Sequence, residues 1–154
     1  MRLILPCLAL LMAAPAIAEE DHLSERDGLR LVHGWARATD GSEAHLYFEI
    51  ENQRADTVML LGAEAGIATE AALMGAPLQA EGEAQMLPAM PISATSDFDL
   101  GPDGVYIALK GLSAPLAEGD TFDAEILFEG ETLDLHVEVE AADATQHSHA
   151  GHNH

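Results

Sequence analysis

The stretch that decides the fold is Thr132-Leu133-Asp134-Leu135-His136-Val137-Glu138-Val139, in which polar and apolar residues alternate at every position. Successive side chains of a β-strand point to opposite faces of a sheet, so this alternation predicts a strand with one buried face. The same period of two occurs in residues 44–51, where Leu46, Phe48 and Ile50 share one face. The chain is therefore expected to be built from half-buried strands.

Weaker strand patterns extend this prediction to most of the chain. Turn residues such as Asp40-Gly41 and Glu118-Gly119-Asp120 separate the segments, and residues 128–132 have the form of a tight hairpin. About seven or more short strands without a convincing long helix predict an all-β fold, an antiparallel sandwich or a barrel. The additional segments are 29–38, 57–62, 96–100, 105–109 and 121–128, together with 68–73, which is expected to be a strand or a loop.

Length and charge limit the classes of partner. The 154 residues suit one domain, and 27 acidic against 6 basic residues give a formal net charge of −21. Such an acidic chain is not expected to bind nucleic acid or an anionic membrane surface, because both require Lys and Arg. Hydrophobic residues make up 48% of the sequence, which argues against general disorder.

The N-terminus has the pattern of a secretory signal peptide, residues 1–18. Arg2 precedes an apolar run from Leu3 to Ala14, and Ala16-Ile17-Ala18 forms an A-x-A cleavage site. Cleavage after Ala18 would deliver the protein to the periplasm and remove Cys7, the only cysteine; an uncleaved anchor is the alternative. No later apolar run approaches the roughly 20 residues of a spanning helix, so no membrane insertion is expected after cleavage.

Beyond the signal peptide, composition divides the chain into three parts. Residues 19–27 form an acidic lead-in, residues 28–140 carry the strand patterns, and residues 141–154 lose all periodicity. The last part is predicted to be a flexible tail, because it is rich in small and polar residues and ends in a histidine-rich tract.

That tract is the sharpest compositional signal for metal binding. Neutral imidazole is the commonest metal ligand in proteins and suits copper, zinc and nickel. A solubilising tail that binds metal only incidentally is the alternative. The candidate ligands are His147, His149, His152 and His154, which are four of the eight histidines.

Three methionines provide a second set of candidates. Met74, Met86 and Met90 fall in a short stretch rich in Ala, Pro and Gly. Thioether sulfur is a soft ligand that prefers Cu(I), although methionine is also a common gap-filler in irregular cores. The other candidate imidazoles, His33, His45 and His136, are interpreted as structural. No serine-nucleophile elbow, phosphate loop or H-E-x-x-H motif is present, so the protein is not expected to be an enzyme.

Several motifs in order resemble the periplasmic copper chaperones of the PCu(A)C type. The similarity covers about residues 29–139, and it implies a cupredoxin-like β-sandwich that supplies copper for cytochrome c oxidase assembly. The segments that carry it are Gly34-Trp35-Ala36-Arg37-Ala38-Thr39, residues 44–52, Met86-Leu87-Pro88, residues 104–112 and residues 115–120.

The resemblance also implies a Cu(I) site, from which this sequence departs. That site uses a His two residues before a Met, a second Met and a late H-x-M pair. Met74 and Met86 match the two methionines, whereas Ala72 replaces the first His. The late pair falls at Tyr106 and Ala108. The folded site is thus expected to be degenerate, and Tyr106 is expected to block it if the residue fills the position of the missing imidazole.

The combined expectation is an exported copper-binding protein with a degenerate folded site and a histidine-rich tail. Copper, as Cu(I) or Cu(II), is the expected ion, with zinc as an alternative, and oxidase assembly proteins are the expected partners. Two other functions remain open: an interaction module that has lost copper transfer, and a tail that buffers zinc or nickel.

Overall fold

The computed structural model describes residues 23–77 and 82–147, which form eleven strands. No helix occurs among these residues, and hence none that is long and apolar enough to cross a membrane. The strands are β1 (Leu23–Arg26), β2 (Leu29–Arg37), β3 (Glu43–Asn52), β4 (Val58–Ala65), β5 (Glu70–Gly75), β6 (Gln85–Met86), β7 (Met90–Ile92), β8 (Ser96–Asp99), β9 (Val105–Lys110), β10 (Thr121–Phe128) and β11 (Glu131–Glu140).

The strands belong to one hydrogen-bonded sheet that curls over to enclose a core. Its order is β6-β5-β9-β3-β2-β11-β10-β4-β7, with β1 paired to β2 and β8 paired to β3. β4 contacts β5 and β9 without hydrogen-bonding to either strand, so the two ends of the sheet face each other. Of the strand pairs in the described part, β2 with β11 is parallel and the others are antiparallel. The predicted all-β sandwich is confirmed.

The alternating residues of β3 and β11 build the core as their period predicts. Leu46 and Ile50 on β3 and Leu135 and Val137 on β11 are almost completely buried in one cluster. The hairpin between β10 and β11 is also confirmed, because Phe128 pairs with Glu131 and leaves a two-residue turn. Gly130 has a φ of 86° in that turn, a conformation that glycine adopts without steric penalty.

Three strands have no counterpart in the sequence pattern. β1 lies in the acidic lead-in, β6 contains two residues, and β7 is the short Met-Pro-Ile segment. Segments of two to four residues are too short to show a period. Their pairing with longer neighbours, rather than their own pattern, holds them in the sheet. The ambiguous segment 68–73 contributes to a strand, β5.

One edge of β2 changes its partner from β1 to β11 at a bulge, while the other edge stays paired with β3. Its register with β3 shifts between Val32 and Trp35, and from Trp35 onward the strand pairs with β11. His33 in this bulge has a φ of 56°. A Cβ on Gly34 would lie 2.5 Å from the carbonyl oxygen of His136, so only glycine allows β11 to approach this closely. Bulges re-aim side chains, and here the side chain affected is that of His33.

Arg54 links three turns at one end of the sheet. Its guanidinium forms a bidentate salt bridge with Glu131, with one N···O distance of 3.0 Å. It also donates hydrogen bonds to the backbone oxygens of Arg26 and Asp27. The β1–β2 turn, the residues after β3 and the start of β11 are therefore held together by one side chain.

Candidate metal centres

The two methionines matched by the family pattern are cross-strand neighbours. Met74 on β5 pairs directly with Met86 on β6, and Leu87 donates a backbone hydrogen bond of 2.9 Å to the oxygen of Leu73. Directly opposed residues in antiparallel strands have Cβ atoms about 4.5–5.5 Å apart. Met86 is 64% exposed. The pair therefore offers two thioethers close together, one of them open to solvent.

Aromatic and small residues occupy the positions where the family pattern has its other ligands. Tyr106 on β9 pairs with Met74, and Ala72 pairs with Ala108. The Tyr106 side chain is only 8% exposed and packs in a cluster with Trp35, Tyr47 and Ala108, to which Met74 is a partly buried neighbour. The five positions matched to the family pattern are thus in register, and the tyrosine at one of them, Tyr106, is buried.

His45 lies beside this aromatic cluster. Its ring centroid is 4.3 Å from that of Tyr106, and its Nδ1 is 3.4 Å from the Tyr47 hydroxyl. Burial lowers the pKa of His45, and Arg37 lowers it further, while Glu43 acts in the opposite direction. The same burial raises the pKa of the Tyr47 hydroxyl. His45 thus favours its neutral form and acts as an aromatic packing residue.

Met90 is not brought to the methionine pair. It lies on β7, where it pairs with Leu60 of β4, and it packs against the main core. Met74 packs instead against the aromatic cluster. The structure thus brings together Met74 and Met86 but places Met90 in a different environment.

Among the first seven residues of the predicted tail, Ala144 and His147 contact the sheet. Ala144 packs on the aromatic cluster, and its backbone oxygen accepts a 2.6 Å hydrogen bond from Nε of Arg37. His147 is only 5% exposed. This part of the predicted tail is therefore held at two points, while Ala142, Asp143, Thr145 and Gln146 are exposed.

His147 is held between two carboxylates of β11. Its Nδ1 is 2.9 Å from Oε1 of Glu140, and its Nε2 is 3.8 Å from Oε2 of Glu138. One potential ligand atom from each of these three side chains lies within 4.8 Å of the others. The ring of His33 is close by, with its centroid 5.7 Å from that of His147. This group of four side chains is called the His147 cluster below.

Sequence reasoning identified His147 but not its companions. Glu138 fell on the polar face of the alternating segment 132–139, Glu140 fell just after that segment, and His33 was interpreted as structural. The spacing of two between the glutamates does place both on one face of the strand, which is the only local signal for this group. The predicted ligands His149, His152 and His154 lie outside the described residues, as do the predicted signal peptide and its cleavage site at Ala18.

The methionine pair and the His147 cluster lie along one row of the sheet. Met86, Met74 and Tyr106 are paired in succession across β6, β5 and β9. Leu46 pairs with Ile107, which places Tyr47 beside Tyr106 at the next position. Tyr47 pairs with Trp35, and Trp35 pairs with Glu138. Four strand spacings of about 4.8 Å separate Met74 from Glu138, so one ion cannot contact both groups.

Comparison with known proteins gives one family and several related folds. Residues 29–140 match the family described as "Putative lipoprotein LpqE-like". A protein of Leifsonia xyli subsp. xyli named "Putative lipoprotein Lxx21020" is 25% identical over 130 residues, which are 82% of this chain and 78% of that protein.

Solved structures extend this comparison to the fold. The apo PCuAC domain of PmoF2 superimposes with a TM-score of 0.68 at 21% identity, covering 81% of this chain and 99% of that domain. The solution structure of CuI-DR1885 from Deinococcus radiodurans has a TM-score of 0.59 at 25% identity, covering 81% of each chain. These similarities confirm the predicted cupredoxin-like fold of the PCu(A)C type.

Proposed function

Because the chain belongs to the LpqE-like family and has the fold of PCuAC domains, we propose that it is an exported copper-binding protein that binds and transfers the ion without catalysing a reaction. The observation that carries this proposal is the cross-strand pairing of Met74 with Met86. The likeness to a protein solved in its Cu(I) form, CuI-DR1885, supports it. Thioether sulfur prefers Cu(I) and is not lost to disulfide formation in an oxidising compartment.

Two thioethers alone leave coordination positions open, and the C-terminal histidines are suited to fill them. His147 lies beside Glu138, roughly 19 Å along the sheet from Met74 at about 4.8 Å per strand. Seven further residues follow His147, and an extended chain spans at most about 3.3–3.6 Å per residue, or roughly 24 Å. His154, seven residues after His147, can therefore reach the methionine pair, whereas His152, five residues after it, spans at most about 18 Å. His147 itself is held beside Glu140.

Export and delivery complete the proposal. The A-x-A site after an apolar run directs the chain to the periplasm, and the Leifsonia relative is itself named as a lipoprotein. By its resemblance to the PCu(A)C type, the recipient would be the assembly pathway of cytochrome c oxidase. A net charge of −21 attracts cations to the surface and favours a basic docking partner.

The test is a Cu(I) titration against a chromogenic competitor. Met74→Leu with Met86→Leu removes both sulfurs while keeping the apolar volume, and we expect Cu(I) affinity to fall at least tenfold. Met59→Leu on β4 is the matched control and is expected to bind like the wild type. Unchanged affinity in the double variant would refute the folded part of the site.

The tail is tested separately by His149→Asn, His152→Asn and His154→Asn in one chain. Loss of Cu(I) affinity in this triple variant is the expected result, because it removes the proposed imidazole ligands. Unchanged stoichiometry and affinity would exclude the tail from the site.

The burial of Tyr106 supports one alternative function, that of an interaction module that has lost copper transfer. Its buried ring fills the position of a family ligand and joins an aromatic cluster covered in part by Ala144. If wild-type protein fails to compete for Cu(I), this alternative becomes the better proposal. Competition by Zn(II) or Ni(II) that depends only on the tail histidines would favour a metal-buffering tail.

A further inference from the structure

We propose that the His147 cluster is a second metal site, distinct from the methionine pair, that binds a divalent cation of the Zn²⁺ or Cu²⁺ type and fixes the C-terminal segment 141–147 to the sheet. The inference does not depend on Cu(I) binding by Met74 and Met86. Its ligands would be Glu138, Glu140 and His147, whose ligand atoms form one group. The neighbouring ring of His33 would complete the set.

The two glutamates are placed by the regular geometry of β11. Their spacing of two puts both carboxylates on the face opposite Leu135, Val137 and Val139, which are buried in the core. Glu140 is well shielded, with 12% of its side chain exposed, while Glu138 is 36% exposed. A bound ion would therefore contact one carboxylate that is shielded from solvent, Glu140, and one that faces solvent, Glu138.

His147 reaches these carboxylates because the segment before it is anchored. The backbone nitrogen of Ala38 donates a 2.8 Å hydrogen bond to the oxygen of Glu140, which fixes the end of β11. Arg37 then holds the backbone at Ala144, and Ala144 packs on the aromatic cluster. These contacts return the chain to the strand it has just left, so that the buried ring of His147 faces Glu140.

His33 comes from the bulge of β2. The left-handed backbone at this residue is uncommon outside glycine, and His is among the residues enriched there. Backbone conformations of this kind concentrate at binding sites, where the surrounding structure maintains them. Its ring centroid is 5.7 Å from that of His147, with 36° between the ring planes. His33 lies outside the group whose ligand atoms are within 4.8 Å of one another, so its ring would have to move closer when an ion binds.

The donor set selects the class of ion. Imidazole suits zinc and copper, carboxylate oxygen is a harder ligand, and Cu(I) prefers sulfur. Two imidazoles and two carboxylates match the four nitrogen and oxygen ligands of a tetrahedral zinc site, and Cu²⁺ binds such ligands more tightly still. Without an ion, the same contacts form an ordinary histidine–carboxylate interaction, which is the outcome that the test must distinguish.

The experiment titrates Zn²⁺, and separately Cu²⁺, into the full chain carrying His149→Asn, His152→Asn and His154→Asn. We expect one ion per chain by isothermal titration calorimetry. Adding His147→Asn or Glu140→Gln should weaken binding at least tenfold, because each removes one ligand. The variant His33→Asn should also weaken binding. Asparagine, like histidine, tolerates the left-handed backbone, so this substitution preserves the bulge.

His136→Asn is the matched control. His136 also lies on β11 and also contacts a carboxylate, that of Asp123 at 2.9 Å, but it is not part of the cluster. Its removal should leave the affinity unchanged. Zn²⁺ should in addition slow amide exchange in residues 141–147 only when His147 is present. Absence of a bound ion, or wild-type affinity in either His147→Asn or Glu140→Gln, would overturn the proposal.

Discussion

Glu131 shows how one side chain makes stability depend on pH. Hydrogen bonds from Arg54 lower its pKa below the usual value of 4.5, and burial offsets part of this effect. A carboxyl with a lowered folded-state pKa stabilises the protein above its unfolded-state pKa. This contribution is lost as the pH falls through the folded-state value. The free energy of unfolding of the wild type should therefore decline below about pH 4.5.

Replacing this carboxylate tests the argument at the level of one residue. Glu131→Gln is expected to reduce the free energy of unfolding by about 1.5–3 kcal/mol at pH 7, the range for hydrogen bonds to charged groups. Its deficit should shrink as the pH falls below 4.5, because the wild type loses the same contribution. Urea denaturation at pH 7 and pH 3 measures the loss of unfolding free energy in the variant at each pH. Glu129→Gln, an exposed neighbour in the sequence, is the control, and an equal deficit at both pH values would contradict the argument.

At the scale of one element, β2 depends on the missing side chain of Gly34. A Cβ there would clash with the His136 carbonyl and with Leu135 at 2.9 Å. Gly34→Ala should lower the free energy of unfolding by about 1–3 kcal/mol, as overpacking does, and should weaken divalent metal binding by displacing His33. Denaturant unfolding and zinc calorimetry measure the two effects. Gly66→Ala, where a Cβ meets no atom within 4 Å, should change neither, and equal behaviour of the two variants would refute the prediction.

The elements differ in how far the sequence predicts them. β3 and β11 alternate over eight or more residues, so their faces and their core residues could be predicted. Segment 141–147 has no period, and its position depends on Arg37 and on an aromatic cluster assembled from three strands. The sequence therefore indicated His147 as a ligand but could not place Glu138, Glu140 and His33 around it. Met74 and Met86 were paired by family resemblance, not by their spacing.

For the whole molecule, repulsion among the acidic residues opposes folding. The net charge of −21 is a property of the whole chain, and salt screens it over a Debye length that falls from about 30 Å at 0.01 M to about 8 Å at 0.15 M. The melting temperature should therefore rise with potassium chloride over this range. A gain of about 1 kcal/mol corresponds to a rise of roughly 4 °C for a domain of this size. The thermal unfolding measurements need a chelator to remove bound cations. A melting temperature that stays constant or falls as potassium chloride is added would contradict the prediction.

The parallel pairing of β2 with β11 also decides when the protein can fold. Trp35 and Glu138, which pair in this register, lie about one hundred positions apart in the chain. Contacts between residues so distant in sequence require a large loop to close first, and such topologies fold slowly. β11 also follows the other ten strands of the described residues in the chain, and it lies between β2 and β10 in the sheet. The sheet of the described residues therefore cannot be completed until the chain has been made as far as Glu140, and β2 lacks its β11 partner until then.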